Sequence, residues 1–99
     1  MNNPAPAKLQ PDAGAVPRLG AGMKFRHDAV RDAWVILGPE RLFVPDEHAV
    51  AVLKLLDGAR SVRDIAAELA AIYDAPAELI EADIWPMLQD LAASGAVRW

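Results

Sequence analysis

The chain reads as a small α+β domain, an N-terminal three-stranded antiparallel β-meander followed by a three-helix bundle. Three observations lead there. The hydrophobic period changes once, near Pro45, from the two-residue alternation of strands to the repeat of helices. Turn and cap residues punctuate the chain at the spacing such elements need. The 99 residues, 54% hydrophobic and 24% charged, suffice for one small domain and lie outside the composition of a disordered protein.

The elements follow in order. The first 22 residues hold Pro4, Pro6, Pro11 and Pro17 with Gly14, Gly20 and Gly22 among small side chains. Too little apolar surface is present to offset the entropy of ordering them, so residues 1–22 read as a disordered Pro/Ala/Gly-rich tail and residues 23–99 as the domain. Met23, Phe25 and His27 alternate with Lys24 and Arg26 in a first strand. Asp28 to Asp32 form a loop of hairpin length, and Ala33 to Leu37 are aromatic and β-branched enough for a second strand. Gly38-Pro39-Glu40-Arg41 is a turn, and Leu42-Phe43-Val44 a short third strand.

Helical spacing then takes over. Asp46 suits an N-cap, Ala49, Val52, Leu53 and Leu56 share a face, and Gly58 suits the stop. Ser61 and Asp64 approximate a capping box for a second helix whose stripe runs through Val62, Ile65, Ala66, Leu69, Ile72 and Tyr73. Proline in the first turn opens a third helix at Asp74-Ala75-Pro76; Ile80, Ile84, Met87, Leu88 and Leu91 form its stripe, and Gly95 ends it. Pro86 interrupts this pattern, predicting either a kink or two short helices meeting at Trp85. Val97-Arg98-Trp99 fits a terminal strand.

The side-chain inventory argues against catalysis. With no cysteine, neither a disulfide nor a thiolate metal site can form. Ser61 is explained as a cap and Ser94 as part of a helix stop, while His27 and His48 lack a second histidine at ligand spacing. Gly20-Ala21-Gly22 precedes a strand, the wrong context for a phosphate loop. Glu78, Glu81, Asp83 and Asp90 fit a solvated helix face, the first two favoured by the helix dipole. No enzyme activity and no cofactor are expected. The longest apolar runs, such as residues 33–37, are far below the roughly 20 residues of a bilayer span, and no targeting signal is evident, so the expected location is the cytoplasm.

Charge separates the remaining alternatives. Residues 1–63 carry nine of the ten Lys and Arg against seven acids, and residues 64–99 carry only Arg98 against seven. Strands preceding three helices suggest a winged helix-turn-helix-like arrangement, which raises the alternative of a DNA-binding transcription regulator. A recognition helix needs basic residues to approach phosphates, yet residues 76–96 hold four acids and no base. No nucleic-acid or membrane partner is therefore expected. Lys24, Arg26, Arg31 and Arg41, all in the meander, suit an acidic peptide or a protein surface.

Three segments carry a family resemblance. They are Asp32-Ala33-Trp34-Val35-Ile36-Leu37-Gly38-Pro39-Glu40-Arg41-Leu42-Phe43, Leu56-Asp57-Gly58-Ala59-Arg60-Ser61-Val62 with Ile65, and Ala82-Asp83-Ile84 followed by Leu88-Gln89-Asp90-Leu91 and Gly95. In order and spacing they resemble the PqqD family of pyrroloquinoline quinone (PQQ) biosynthesis over about residues 23–97. The resemblance implies a peptide chaperone of the RiPP recognition element type. Such a protein binds the ribosomal precursor peptide PqqA and presents it to PqqE, a radical S-adenosylmethionine (SAM) enzyme that cross-links a glutamate and a tyrosine in the peptide. It further implies that the guest lies as an added strand along the third strand, in the groove beside the third helix, and that iron–sulfur chemistry belongs to the partner. The Pro-rich tail and Pro86 depart from the family pattern.

The residues themselves accommodate such a guest. A short third strand bounded by Pro39 and Pro45 offers an unpaired edge, with Leu42, Phe43 and Val44 as the docking residues. Alternate side chains there must face the core, so only backbone contact is expected of all three. Trp85 lies about 100° from the helix stripe, either lining the groove or packing under the tail or terminal strand. Arg41 either pairs with an acidic guest residue or is a structural charge.

Overall fold

A computed structural model describes residues 13–99. In chain order the elements are β1 (Arg18–Leu19), β2 (Lys24–Asp28), β3 (Ala33–Leu37), β4 (Leu42–Phe43), α1 (Glu47–Leu53), α2 (Val62–Tyr73), α3 (Ala77–Ala93) and β5 (Val97–Arg98). Two antiparallel sheets form, a meander of order β2-β3-β4 and a two-stranded pair β1-β5. Together with the three helices they make a small mixed α/β domain.

The meander follows the alternation of its sequence. Phe25 lies opposite Ile36 and His27 opposite Trp34. The Phe25 ring stacks on Trp34 at 4.8 Å, a diagonal pair on one face. The Lys54 ammonium lies 4.9 Å over the same indole, tying the end of α1 to the sheet.

The first two helices begin where their caps predict, while Pro76, expected in the first turn of the third, is its N-cap. Asp46 accepts the Ala49 N–H at 2.8 Å to start α1. Ser61 and Asp64 exchange side-chain and backbone bonds in a full capping box at α2. The stripes of α2 and α3 then close the core around Ile65, Leu69, Ile84 and Leu88, with Ile36 entering from the sheet and Val97 from β5. Two residues of the expected α2 stripe are not in it. Ile72 and Tyr73 are 68% and 59% exposed, because α2 ends at Tyr73 and the chain turns through left-handed Asp74 before α3.

α3 runs unbroken through Pro86, so of the two alternatives at this proline the pair of short helices meeting at Trp85 does not occur. Pro86 and Ala82 both lie on the exposed face, where water can take the Ala82 carbonyl that loses its N–H partner.

The expected boundary at Met23 needs correction. Residues 1–12 of the predicted tail lie outside the described residues, but residues 13–22 run against the domain. The Val62 and Arg63 N–H groups, orphan donors of the first turn of α2, donate to the carbonyls of Ala15 and Ala13 at 2.9 and 3.0 Å. Pro17 is fully buried, and β1 pairs Arg18 with Arg98 and Leu19 with Val97. Gly20 then donates to the Ala96 carbonyl at 2.8 Å, an approach so close that a Cβ would collide with the Gly95 carbonyl. Backbone pairing of this kind needs no large apolar side chain, which is why composition gave no sign of it.

Candidate functional site

The candidate site is the β4 edge of the meander. Its geometry is set by the β3–β4 hairpin, whose loop is Pro39–Glu40. The Gly38 N–H donates to the Arg41 carbonyl at 2.9 Å, and the register continues Leu37 to Leu42 and Ile36 to Phe43. Hydrogen-bonded and non-hydrogen-bonded pairs alternate along an antiparallel ladder. Arg41 and Phe43 therefore turn their backbone groups toward β3, and Leu42 and Val44 turn theirs outward. Among the described residues no strand pairs with that outer edge. Pro45, which has no N–H, ends it.

Side chains follow the same parity. Phe43 is half-buried against the core, whereas Leu42 and Val44 are 39% and 58% exposed. The sequence required alternate side chains here to face the core and expected backbone contact from all three; the structure turns the Phe43 side chain inward and its backbone groups to β3, and leaves Leu42 and Val44 facing out.

Arg41 has partners within the chain. Its guanidinium donates to the Ser94 carbonyl, at the C-cap of α3, and lies 5.6 Å from the centre of the Phe43 ring. The last turn of α3 contains no base, so Arg41 supplies the positive charge that a helix C-terminus favours and ties the start of β4 to the end of α3.

Trp85 is elsewhere. It is half-buried and meets Trp99 edge-on, with ring centres 6.1 Å apart. Asp83 and Met87 face the opposite flank of α3, about 160° around the helix at 100° per residue. That flank, not the Trp85 flank, borders the segment leading out of β4. The edge-on ring contact joins Trp85 to Trp99, on the side of α3 away from that flank.

Beyond β4 the same flank of α3 borders a cavity of about 370 Å³ beside α1 and the end of α2. Its lining includes Asp46, His48, Val52, Tyr73, Ile80, Asp83 and Met87. Sequence reasoning placed Ile80 and Met87 on the apolar stripe of α3 and found no second histidine at ligand spacing for His48. The juxtaposition depends on how the three helices pack, which no local pattern encodes.

Among the described residues no cluster of three or more His, Asp or Glu is placed to hold a metal ion, and no helix is long and apolar enough to cross a membrane. The fold and this edge define a class, a small α+β domain whose prominent exposed features are outward backbone groups and apolar side chains. Within that class the chain belongs to the PqqD family. Residues 33–97 match the family model described as coenzyme PQQ synthesis protein D (PqqD). The chain is 47% identical over 90 residues to a PqqA binding protein of Bradyrhizobium diazoefficiens, an alignment covering 91% of this chain and 87% of that one. It is 50% identical over 93 residues to a bifunctional coenzyme PQQ synthesis protein C/D of Methylorubrum extorquens, 91% of this chain against 25% of that protein. The solution NMR structure of the PqqD truncation of Methylobacterium extorquens PqqCD, described as a functional and stand-alone RiPP recognition element, superposes with a TM-score of 0.76 at 46% identity, covering 93% of this chain and 99% of that one.

Proposed function

We propose that this protein is a non-catalytic peptide chaperone of PQQ biosynthesis. It binds the precursor peptide PqqA by strand addition to β4 and presents it, in the cytoplasm, to the radical SAM enzyme PqqE. The observation that carries the reading is the set of outward N–H and C=O groups on Leu42 and Val44, with no strand opposite them among the described residues. Relatives named PqqA binding proteins and a neighbour described as a RiPP recognition element support it.

The energetics are adequate for a transient complex. Four edge groups at about 0.5–1.5 kcal/mol each give roughly 2–6 kcal/mol. One or two buried guest side chains add about 1.5–3 kcal/mol each. Association costs at least about 4 kcal/mol, so only the upper end of these ranges, about 12 kcal/mol in all, leaves an affinity near micromolar. Backbone pairing reads little sequence, so specificity falls to side chains beside the edge. Leu42 and Val44 provide apolar contact there, while Arg41 and Phe43 hold the strand in place. In this reading the winged-helix-like arrangement of helices serves a peptide, since acidic α3 repels a duplex.

Calorimetric titration of the protein with PqqA, with and without PqqE, tests the proposal. Saturable one-to-one binding of the peptide, and a ternary complex when PqqE is added, are expected. No heat with PqqA, or tight salt-sensitive binding to duplex DNA in its place, would overturn it.

A further inference from the structure

Strand addition as proposed leaves the cavity beyond Val44 without a role. We infer that this cavity is a second recognition site for the same precursor peptide. It takes one large apolar side chain from the segment adjoining the paired stretch, with a Lys or Arg next to it held by Asp46 and Asp83. The inference rests on the peptide-binding reading above and extends it.

The lining fits that ligand. Val52, Leu69 and Ile84 form the floor and are 3%, 5% and 3% exposed, so the core is already closed beneath them. Ile80 and Met87 are half-buried walls, and Tyr73, at 59% exposed, presents its ring to the mouth. An aromatic left this open at a helix end is not needed by the core. The volume, about 370 Å³, is at the small end of ligand pockets and suits a side chain or two.

The rim sets the charge of the guest. Asp46, His48, Tyr73 and Asp83 are the lining residues with polar side-chain atoms, two of them carboxylates, and no Lys or Arg is among them. Asp46 uses Oδ1 to cap α1, and Asp83 is exposed on the outer face of α3. Between Asp64 and Val97 the chain carries seven acids and no base. A second copy of this surface would therefore meet its own charge, whereas a cationic peptide segment would be drawn in.

Position links cavity and edge. Asp46 and His48 follow Val44 by two and four residues. An extended chain advances about 3.3 Å per residue, so a guest paired at Val44 reaches the mouth within about two to four residues. The anchoring residue precedes the paired stretch if the guest runs antiparallel to β4 and follows it if parallel.

Fluorescence anisotropy with labelled PqqA, run on the full chain, tests this. Ala51→Phe fills the cavity from its wall and should weaken binding at least tenfold. Asp83→Lys, on the exposed rim, should weaken it at least fivefold at low salt and less as salt rises. A ¹³C-labelled Met87 methyl should show an intermolecular NOE to one apolar peptide residue outside the paired stretch. Unchanged affinity in folded Ala51→Phe would overturn the inference. If that variant does not fold, unchanged affinity in Asp83→Lys with no NOE at Met87 would do so. Val44→Pro keeps the two readings apart. Loss in Val44→Pro without loss in Ala51→Phe retires the cavity and leaves the edge. The converse retires the edge and keeps the cavity.

Discussion

Val44→Pro isolates the docking edge from the fold. The Val44 N–H points away from β3, so proline there removes no ladder bond, and Phe43 already has the extended backbone that a residue before proline prefers. The perturbation acts on the guest alone. It deletes one N–H···O bond, leaves a guest carbonyl unpaired and places a pyrrolidine ring in the path of the added strand. Together these cost about 1–3 kcal/mol, or roughly 5- to 150-fold in affinity. Stability should change by no more than about 0.5 kcal/mol, as for other surface substitutions. Phe43→Pro is the contrasting case. Phe43 pairs with Ile36, which is fully buried, so the lost bond strands a buried carbonyl and the ring leaves the core. That variant should lose at least about 1–3 kcal/mol of stability. Anisotropy of labelled PqqA, read beside a thermal melt of each variant, measures both quantities. A folded Val44→Pro protein that binds PqqA as tightly as the parent would refute the assignment of the edge.

Other expectations concern the frame around the site. A double-mutant cycle of Trp85→Ala and Trp99→Ala should give a coupling of about 0.5–1.5 kcal/mol in denaturant melts, with PqqA affinity unchanged; additive losses would show that the ring contact is idle. Pro86→Ala restores a helical N–H on an exposed face and should stabilise the protein by about 1–3 kcal/mol, and a loss of stability would mean that the chain uses the backbone shape proline imposes. A pH dependence follows from two aspartates. A hydrogen bond from the Arg31 side chain holds the Asp28 carboxyl below the usual carboxylate range, and the Arg60 and Ala59 N–H groups do the same for Asp57. Because each folded value lies below the unfolded one, the contribution is complete above about pH 4 and is lost as pH falls through the folded value. Melting temperature should drop over that acidic window, and Asp57→Asn should flatten the drop.

Several features of this protein are local and were legible in its sequence. The Ser61–Asp64 box, the Asp46 cap, the Gly95 stop and the Phe25-Trp34 alternation each act within a few residues, through backbone donors, steric limits on φ or one-sided burial. The family resemblance, likewise a matter of order and spacing, pointed to the third strand. Long-range contacts were not legible. Arg41 stays open between a guest contact and a structural charge until the C-cap of α3 is placed beside it, and Trp85 between the groove and the terminal strand until Trp99 returns to meet it.

The sequence by itself determined which segments alternate, which coil and where each begins, because those choices depend on neighbours a few residues away. Only the tertiary structure decided that residues 13–22 belong to the domain, since their order comes from backbone pairing with a strand near the other end of the chain. It also decided which backbone groups of β4 face outward and which flank of α3 they border. Both depend on the register of a hairpin and the packing of helices, and a one-residue shift in register would exchange the inner and outer sets.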